Sequence, residues 1–200
     1  MATRSVHKLR ELRQLLHLPS TTLVSLDDVG IEDEAPEEGA TFEANAVSKA
    51  RFYAERAGLP TLADDSGLEV DALGGGPGVR TRRYAGERAT DEENTAKLLA
   101  ELGALPAERR GARYRCVLAL VEPDGDRPGA TVVTRGTFEG RIAFGPQGTG
   151  GFGYDPIFEP DTEPPGGRTV GLYSVEEKNR VSHRALAARD MRFELVDRGY

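Results

Sequence analysis

Two adjacent carboxylates between short apolar runs constrain the fold of this chain more than any other feature. The stretch reads Thr61-Leu-Ala-Asp-Asp-Ser-Gly-Leu-Glu-Val-Asp-Ala72. Thr61–Ala63 predicts a buried strand, Ser66-Gly67 a turn, and Leu68–Ala72, with its alternating apolar positions, a second strand. Asp64 and Asp65 are therefore expected at a strand end, where the backbone holds both side chains in place before any ligand arrives.

The aspartate pair allows two interpretations. Together the two carboxylates could hold a hard cation such as Mg2+, which takes oxygen ligands and shares its remaining positions with water and substrate phosphates. Asp-Asp-Ser-Gly is also a common composition for a solvated turn with no ligand. The pair by itself does not decide between these two interpretations.

Apolar periodicity and capping patterns predict four helices. The second of them begins after Thr41 as N-cap and ends near Ala57, before Gly58-Leu59-Pro60. Lys49 lies near the edge of the apolar face of this helix and is expected to reach inward. The other predicted helices are Val6–Leu16, a helix carrying Leu98–Leu102 behind the capping box Thr90–Glu93, and a final helix with the apolar stripe Val181–Leu195 behind the capping box Ser174–Glu177.

Strand signals complete the expected fold. Thr22–Leu26 predicts a short strand, and Arg113–Val121 and Ala130–Phe138 predict two long strands that a hairpin through Glu122–Gly129 would connect. Helices and strands alternate early, and strands cluster later. The expected class is an α/β or α+β sheet protein, with residues 1–200 forming a single domain.

Composition narrows the function classes. The chain has 33 acidic and 26 basic residues and a formal charge of −7, which argues against nucleic-acid binding driven by bulk charge. Cys116 lies in an apolar run and is expected to be a buried strand residue. There is no signal peptide pattern, and no apolar run approaches the ~18 residues of a membrane span. We expect a soluble cytoplasmic protein.

Five stretches of the chain together resemble one family, the inosine/xanthosine triphosphate pyrophosphatases that remove deaminated purine nucleotides from the precursor pool. The likeness spans nearly the whole chain, and the stretches follow the order and approximate spacing of the family. They are Thr3–Leu12, Glu37–Ala50, Ala63–Leu68, Gly150–Pro156 and Glu177–Arg184.

The resemblance implies a fold and an activity. The fold is an α/β one, in which a long twisted mixed sheet with flanking helices forms two lobes around a central cleft, and the protein is a homodimer. The activity is Mg2+-dependent hydrolysis of ITP, dITP and XTP between the α and β phosphates, which gives a monophosphate and pyrophosphate. Such a reaction needs neutralised charge, a positioned water and in-line geometry.

The resemblance also assigns roles on the phosphate side. Asp65 matches the general base or the metal-linked carboxylate that orients the attacking water, and Asp64 supports it. Glu37, twelve positions before Lys49, matches a second acidic metal ligand.

Basic and hydroxyl side chains complete this side. Lys8 and Lys49 would bind phosphate oxygens as point charges. Thr3 and Ser66 would add hydroxyl donors. For an isolated lysine, a solvated helix face is the simpler interpretation, and the matched stretches reverse that preference.

Base recognition is assigned to the C-terminal stretches. Phe152 would stack on the purine, and the O6 acceptor of hypoxanthine or xanthine would select a donor such as Arg184, which adenine with its N6 donor cannot match. Without the resemblance, Phe152 could equally be a core aromatic, and His183-Arg184 could simply begin a helix. The residues assigned to the base side are Phe152, Gly153, Tyr154, Asp155, Lys178, His183 and Arg184.

Some positions depart from the family pattern. Only Met1-Ala2 precede Thr3, so the first strand of the family is expected to be nearly missing, and Ser5 stands where the family has asparagine. Ala44 replaces a common acid. The basic cluster Arg80, Arg82 and Arg83 is expected at the surface or at a subunit interface.

Two other functions stay open at this point. One is a related pyrophosphatase that prefers modified pyrimidine nucleotides. The other is a nucleotide-binding protein without catalysis, which the shortened start and Ser5 make conceivable.

Overall fold

A computed structural model of the protein describes residues 1–123 and 131–200. Within these ranges it has five α-helices and four β-strands, as the α/β prediction requires. The helices are α1 Val6–Leu16, α2 Phe42–Ala57, α3 Asp91–Leu102, α4 Val175–Val181 and α5 His183–Asp197. The strands are β1 Thr61–Val70, β2 Gly111–Val121, β3 Thr131–Ile142 and β4 Phe158–Pro160.

The four strands form one sheet in the order β1-β2-β3-β4. β3 and β4 pair antiparallel, with Gly140 opposite Pro160 and Ile142 opposite Phe158. The long strands predicted from Arg113 and Ala130 are confirmed as β2 and β3. The predicted hairpin connection falls mostly on residues 124–130, which lie outside the described residues.

Local capping signals placed the helix ends correctly. Thr41 caps α2 by accepting a hydrogen bond from the amide of Ala44, and Gly58 ends the helix in the left-handed region. Capping boxes at Thr90 and Ser174 start α3 and α4, as predicted. Ser5 caps α1, the predicted first helix.

Three secondary-structure predictions were wrong. Asp64 and Asp65 lie inside one continuous strand, β1, because the sheet takes up Ser66-Gly67 instead of leaving them as a turn. Thr22–Leu26 has no regular structure. The predicted final helix is two helices, α4 and α5, because the backbone of Ser182 is extended between them.

The chain divides into two compact units. The first unit comprises Met1–Asp65, Cys116–Gly136 and His183–Tyr200, and the second comprises Ser66–Arg115 and Thr137–Ser182. The core of the first unit packs Leu12 and Leu16 of α1 with Met191 and Leu195 of α5 and with apolar side chains of β1 and β2. The core of the second unit packs α3 with strand residues and with Tyr154, Ile157 and Phe158.

Close packing in the first unit depends on a glycine of β3. A Cβ atom at Gly136 would overlap the carbonyl oxygen of His183 and crowd the amide of Ala187. The hydroxyl of Thr134 donates a hydrogen bond to the carbonyl of Ala187 at 2.8 Å. The missing side chain thus lets the start of α5 lie directly against β3.

In the part of the chain that the structure describes, no helix has the length and apolar character needed to cross a membrane.

Candidate active site

The first unit gathers five of the predicted site residues around β1. We call this set the acidic cluster; its members are Lys8, Glu37, Lys49, Asp64 and Asp65. The strand supplies both aspartates, α1 supplies Lys8 and α2 supplies Lys49. Glu37 lies in a loop and is paired with Lys49. The positions of the five side chains are therefore set by the fold of this unit.

Lys8 reaches the acidic cluster from the first turn of α1. Ser5 caps this helix by accepting a hydrogen bond from the amide of Lys8 at 3.4 Å, and Thr3 accepts one from the amide of Ser5 at 3.1 Å. The ammonium of Lys8 lies 2.6 Å from Oδ1 of Asp64. About a fifth of the Lys8 side chain, 19%, remains exposed.

Asp64 is fully buried and bound by several donors. Its Oδ2 accepts a hydrogen bond from Nε of Arg184 at 2.8 Å and contacts the Sγ of Cys116 at 3.4 Å. Burial alone would raise the pKa of Asp64, but Arg184 and Lys8 outweigh burial and hold the pKa well below its usual range. The two cations therefore favour the ionised form of Asp64.

Asp65, the next residue, has a different environment. Burial raises the pKa of Asp65 to about 6, although Lys49 and Lys8 act in the opposite direction. Its Oδ1 lies 3.7 Å from Nζ of Lys49, and its buried Oδ2 has no hydrogen-bond partner among the described residues. Asp65 thus presents one buried acceptor oxygen without a protein donor.

Lys49 connects Asp65 to Glu37. Its ammonium forms an ion pair with Oε1 of Glu37, and only 10% of the Lys49 side chain is exposed. Burial would lower the pKa of Lys49, but Asp65 and Glu37 outweigh burial and raise the pKa. The inward orientation predicted for Lys49 is confirmed.

Asn45 is a residue of this region that the sequence analysis did not single out. It is buried on α2, and its side-chain oxygen accepts a hydrogen bond from the amide of Gly39 at 2.8 Å. This contact ties the loop that carries Glu37 to the helix that carries Lys49. The sequence signal was available, because Asn45 lies within the Glu37–Ala50 stretch that carries the family resemblance.

The second unit gathers a separate group of predicted residues. We call Phe152, Asp155 and Lys178 the aromatic cluster. The ammonium of Lys178 lies 2.8 Å from Oδ2 of Asp155 and 4.6 Å from the centroid of the Phe152 ring, a cation–π distance. Asp155 also accepts a hydrogen bond from the amide of Phe152 at 2.9 Å.

The glycine-rich turn before Asp155 makes this arrangement possible. Gly151 has φ of +74°, and a Cβ atom there would overlap Oδ2 of Asp155. The amide of the next glycine, Gly153, donates a hydrogen bond to Asp91 at the start of α3, at 2.6 Å. Asp91 was not predicted as a site residue, and no motif pointed to it.

The remaining predicted residues have the following places. The ring of Tyr154 is buried in the core of the second unit, and its hydroxyl donates to the carbonyl of Thr81 at 2.8 Å. Ser66 is half-buried in β1. His183 and Arg184 are buried in the first turn of α5, in the first unit. Arg184 binds Asp64 and, at 2.6 Å, Glu11 of α1.

The two clusters suit different kinds of ligand. The acidic cluster combines two lysines with three carboxylates, which can bind phosphate oxygens, a cation or a water that is to be deprotonated. The aromatic cluster combines a ring face with a cation and an anion, which suits a planar heterocycle with polar edges. These are the functional groups that a nucleotide-processing enzyme needs.

Comparison with known proteins is consistent with this chemistry. The chain matches the model of the Ham1 family over residues 1–194. It is 50% identical over 192 residues to a dITP/XTP pyrophosphatase of Mycolicibacterium paratuberculosis, covering 94% of this chain and 91% of the relative. It is 49% identical over 187 residues to a dITP/XTP pyrophosphatase of Geobacter sulfurreducens, covering 94% and 90%.

Solved structures show the same fold. A HAM1 protein from Coxiella burnetii superposes with a TM-score of 0.85 at 39% identity, covering 98% of this chain and 96% of that one. A protein from Mycobacterium abscessus described as a nucleoside-triphosphatase / dITP/XTP pyrophosphatase superposes with a TM-score of 0.75 at 46% identity, covering 94% and 95%.

Proposed function

Because this chain belongs to the Ham1 family, we propose that it hydrolyses deaminated purine nucleoside triphosphates to monophosphates and pyrophosphate. The substrates are dITP, ITP and XTP, and the role is cleansing of the nucleotide pool. The names of the relatives support this proposal. The structural observation that carries it is the acidic cluster, in which each of two adjacent aspartates faces its own lysine.

Lys8 and Lys49 are proposed to bind the triphosphate. Their ammonium groups are held at fixed positions by carboxylates, so they need little reorganisation when phosphate oxygens bind beside those partners. Charge that develops on the bridging and leaving oxygens would lie near both cations. Thr3 and Ser66 are proposed as additional hydroxyl donors.

Asp65 is proposed to orient and deprotonate the attacking water. A general base works best when its pKa lies near the working pH, and burial places the pKa of Asp65 at about 6. Asp64 is proposed to support Asp65 by holding Lys8 in place.

Glu37 and Asp65 are the residues proposed to hold Mg2+. No group of three or more acidic, histidine or cysteine side chains suited to an ion exists within residues 1–123 and 131–200. Two carboxylates fit Mg2+ all the same, because this ion keeps several waters and shares substrate phosphates. The buried Oδ2 of Asp65 is an acceptor that a cation would satisfy. Bound there, the ion would neutralise phosphate charge and favour ionised water.

The aromatic cluster is proposed to bind the base. Phe152 would stack on the purine ring, a contact that contributes about 1–3 kcal/mol in nucleic-acid complexes. Lys178, Asp155 and the backbone from Gly153 to Tyr154 would meet its polar edges. His183 and Arg184 stay predictions as further contacts, with a donor to O6 selecting hypoxanthine and xanthine over adenine.

A product assay tests the reaction. Incubation with ITP and Mg2+ is expected to release IMP and pyrophosphate, whereas IDP and orthophosphate would contradict cleavage between the α and β phosphates. A panel of ITP, XTP, dITP, ATP, GTP and modified pyrimidine triphosphates tests the substrate class. Preference for a pyrimidine would favour the related pyrophosphatase, and tight ITP binding without pyrophosphate release would favour a non-catalytic binding protein.

A matched pair of variants tests the base side. Phe152→Ala is expected to raise the KM for ITP at least about tenfold through lost stacking. Phe144→Ala removes an exposed aromatic ring, 68% exposed, from the same unit and is expected to leave the KM unchanged. Equal effects of the two substitutions would remove Phe152 from its proposed role.

We also propose that the protein is a cytoplasmic homodimer that binds neither nucleic acid nor membranes. The family resemblance and the acidic net charge support this proposal. Light scattering after gel filtration is expected to give twice the chain mass of 21.6 kDa, and a monomer mass would contradict the dimer.

A further inference from the structure

Four charged side chains of the first unit form a continuous row, and its two middle members, Arg184 and Asp64, are buried. Glu11 contacts Nη1 of Arg184 at 2.6 Å, and Nε of Arg184 contacts Oδ2 of Asp64 at 2.8 Å. The other oxygen of Asp64 contacts the ammonium of Lys8 at 2.6 Å. The row runs from Glu11 to Lys8 through three ion pairs and alternates in charge, so its formal sum is zero.

The two middle side chains of the row are more deeply buried than the two at its ends. The side chains of Arg184 and Asp64 are 1% and 0% exposed, whereas those of Glu11 and Lys8 are 13% and 19% exposed. A buried carboxylate with one cation removed would keep an uncompensated charge or shift its position. Asp64 therefore depends on Arg184 to stay ionised and fixed, and Lys8 depends on Asp64 for its place.

α1 contributes both ends of the row. Lys8 and Glu11 lie three residues apart and thus share a face of the helix. The guanidinium of Arg184 is a planar fork that can bind Glu11 and Asp64 at the same time in fixed relative directions. Lysine in its place would keep the charge but would not hold both carboxylates in fixed relative directions.

We propose that Arg184 and Glu11 are positioning residues for Lys8. Arg184 holds Asp64, Asp64 directs the ammonium of Lys8, and Glu11 holds Arg184 from the opposite side. The inference deepens the proposed function, because it rests on Lys8 as the residue that meets the phosphates. It gives Arg184 a role that acts on every triphosphate, whatever its base.

A double-substitution cycle tests the inference, with inorganic tripolyphosphate plus Mg2+ as the probe and titration calorimetry as the measurement. Lys8→Met and Arg184→Met are each expected to weaken binding, the first by about 10- to 100-fold because it removes a charge-assisted contact. The double variant is expected to bind within about twofold of Lys8→Met alone, because Arg184 can affect a probe without a base only through Lys8. Arg184→Lys is expected to recover part of the affinity that Arg184→Met loses.

Glu11→Gln provides a second cycle that does not depend on the stability of an Arg184 variant. It keeps the shape and the acceptor oxygen and is expected to weaken tripolyphosphate binding a few-fold with Lys8 present and not at all in Lys8→Met. Glu43→Gln is the matched control. Glu43 is an exposed acid of the same unit that also pairs with an arginine, Arg135, and its substitution is expected to leave binding unchanged.

Two results would overturn the inference. In the first, the losses from Lys8→Met and from Arg184→Met or Glu11→Gln multiply in the double variants, which shows independent action. In the second, Arg184→Met weakens binding of ITP but leaves tripolyphosphate binding unchanged, which shows that Arg184 acts on the base alone and does not position Lys8. Because the probe carries no base and needs no turnover, a failure of the proposed hydrolysis is detected separately, by the absence of pyrophosphate release from ITP.

Discussion

The surroundings of Asp64 and Asp65 differ more than their adjacency suggests. Successive residues of a strand point to opposite sides, so the two carboxylates meet different elements. Asp64 is bound by Arg184 of α5 and Lys8 of α1, and its pKa lies well below the usual range. Asp65 meets Lys49 of α2, keeps one buried oxygen without a protein donor, and has its pKa raised to about 6.

The comparison indicates that the two carboxylates have different roles, one structural and the other chemical. A carboxylate that has a cation bound to each oxygen and a low pKa is a poor base and a good structural anion. A buried carboxylate with a free oxygen and a raised pKa is costly in its ionised form and well suited to accept a proton or a cation. Substitution of Asp65 should therefore affect mainly activity, and substitution of Asp64 mainly stability.

The largest expected effect is that of Asp65→Asn on turnover. Loss of the proposed base is expected to lower the rate of pyrophosphate release from ITP by about 10³-fold. The free energy of unfolding is expected to stay the same or rise, because a neutral amide avoids the cost of burying an ionised carboxylate. Steady-state kinetics and urea denaturation measure the two quantities, and a variant with wild-type turnover would remove Asp65 from its role.

Asp64→Asn is expected to have the next largest effect, on stability. Arg184 would lose its buried carboxylate partner and Lys8 its ion pair, which should lower the free energy of unfolding by about 3 kcal/mol. Urea denaturation of Asp64→Asn beside Asp65→Asn measures the contrast. If both variants lost the same stability, the two sites would not differ as described.

Lys49→Met is expected to strengthen metal binding to the free protein about tenfold. Its ammonium contacts Glu37 and lies 3.7 Å from Asp65, so it repels a divalent ion from both proposed ligands. Titration of Mn2+ without nucleotide, followed by electron paramagnetic resonance, measures this affinity. Lys178→Met removes a similarly buried lysine from Asp155 and serves as the control. Unchanged Mn2+ affinity in Lys49→Met would argue against Glu37 and Asp65 as ligands.

The smallest expected effect concerns pH. A carboxylate with a lowered folded-state pKa stabilises the protein above its unfolded pKa of about 4 and loses that contribution as pH falls toward the folded pKa. The stability difference between wild type and Asp64→Asn should therefore change by less than about 1 kcal/mol from pH 7 to pH 4 and shrink mainly below pH 4. Denaturant midpoints measured in EDTA test this, and a gap that closes between pH 7 and pH 5 would contradict a low pKa for Asp64.

The family and the fold class were predictable from sequence and are confirmed by the comparisons and the structure. Helix ends were predictable because capping is local: Thr41 and Gly58 bound α2 through contacts within a few residues. The full length of β1 was not predictable, because Ser66-Gly67 has turn composition and becomes part of a strand only by pairing within the sheet. The helix break at Ser182 was not predicted for a related reason, because the apolar stripe Val181–Leu195 continues across it.

By itself the sequence determined which chemical groups the chain possesses: the paired aspartates, the two lysines, and the helices that carry Lys8 and Lys49. These follow from residue type, periodicity and capping, which act over a few positions. Only the tertiary structure decided which groups meet. Arg184 binds Glu11 across 173 positions of sequence and Asp64 across 120, and those contacts exist because helices and strands pack together. Burial raises the pKa of Asp65, whereas the cations Arg184 and Lys8 outweigh burial and lower the pKa of Asp64, since solvation and charge act through space and not along the chain.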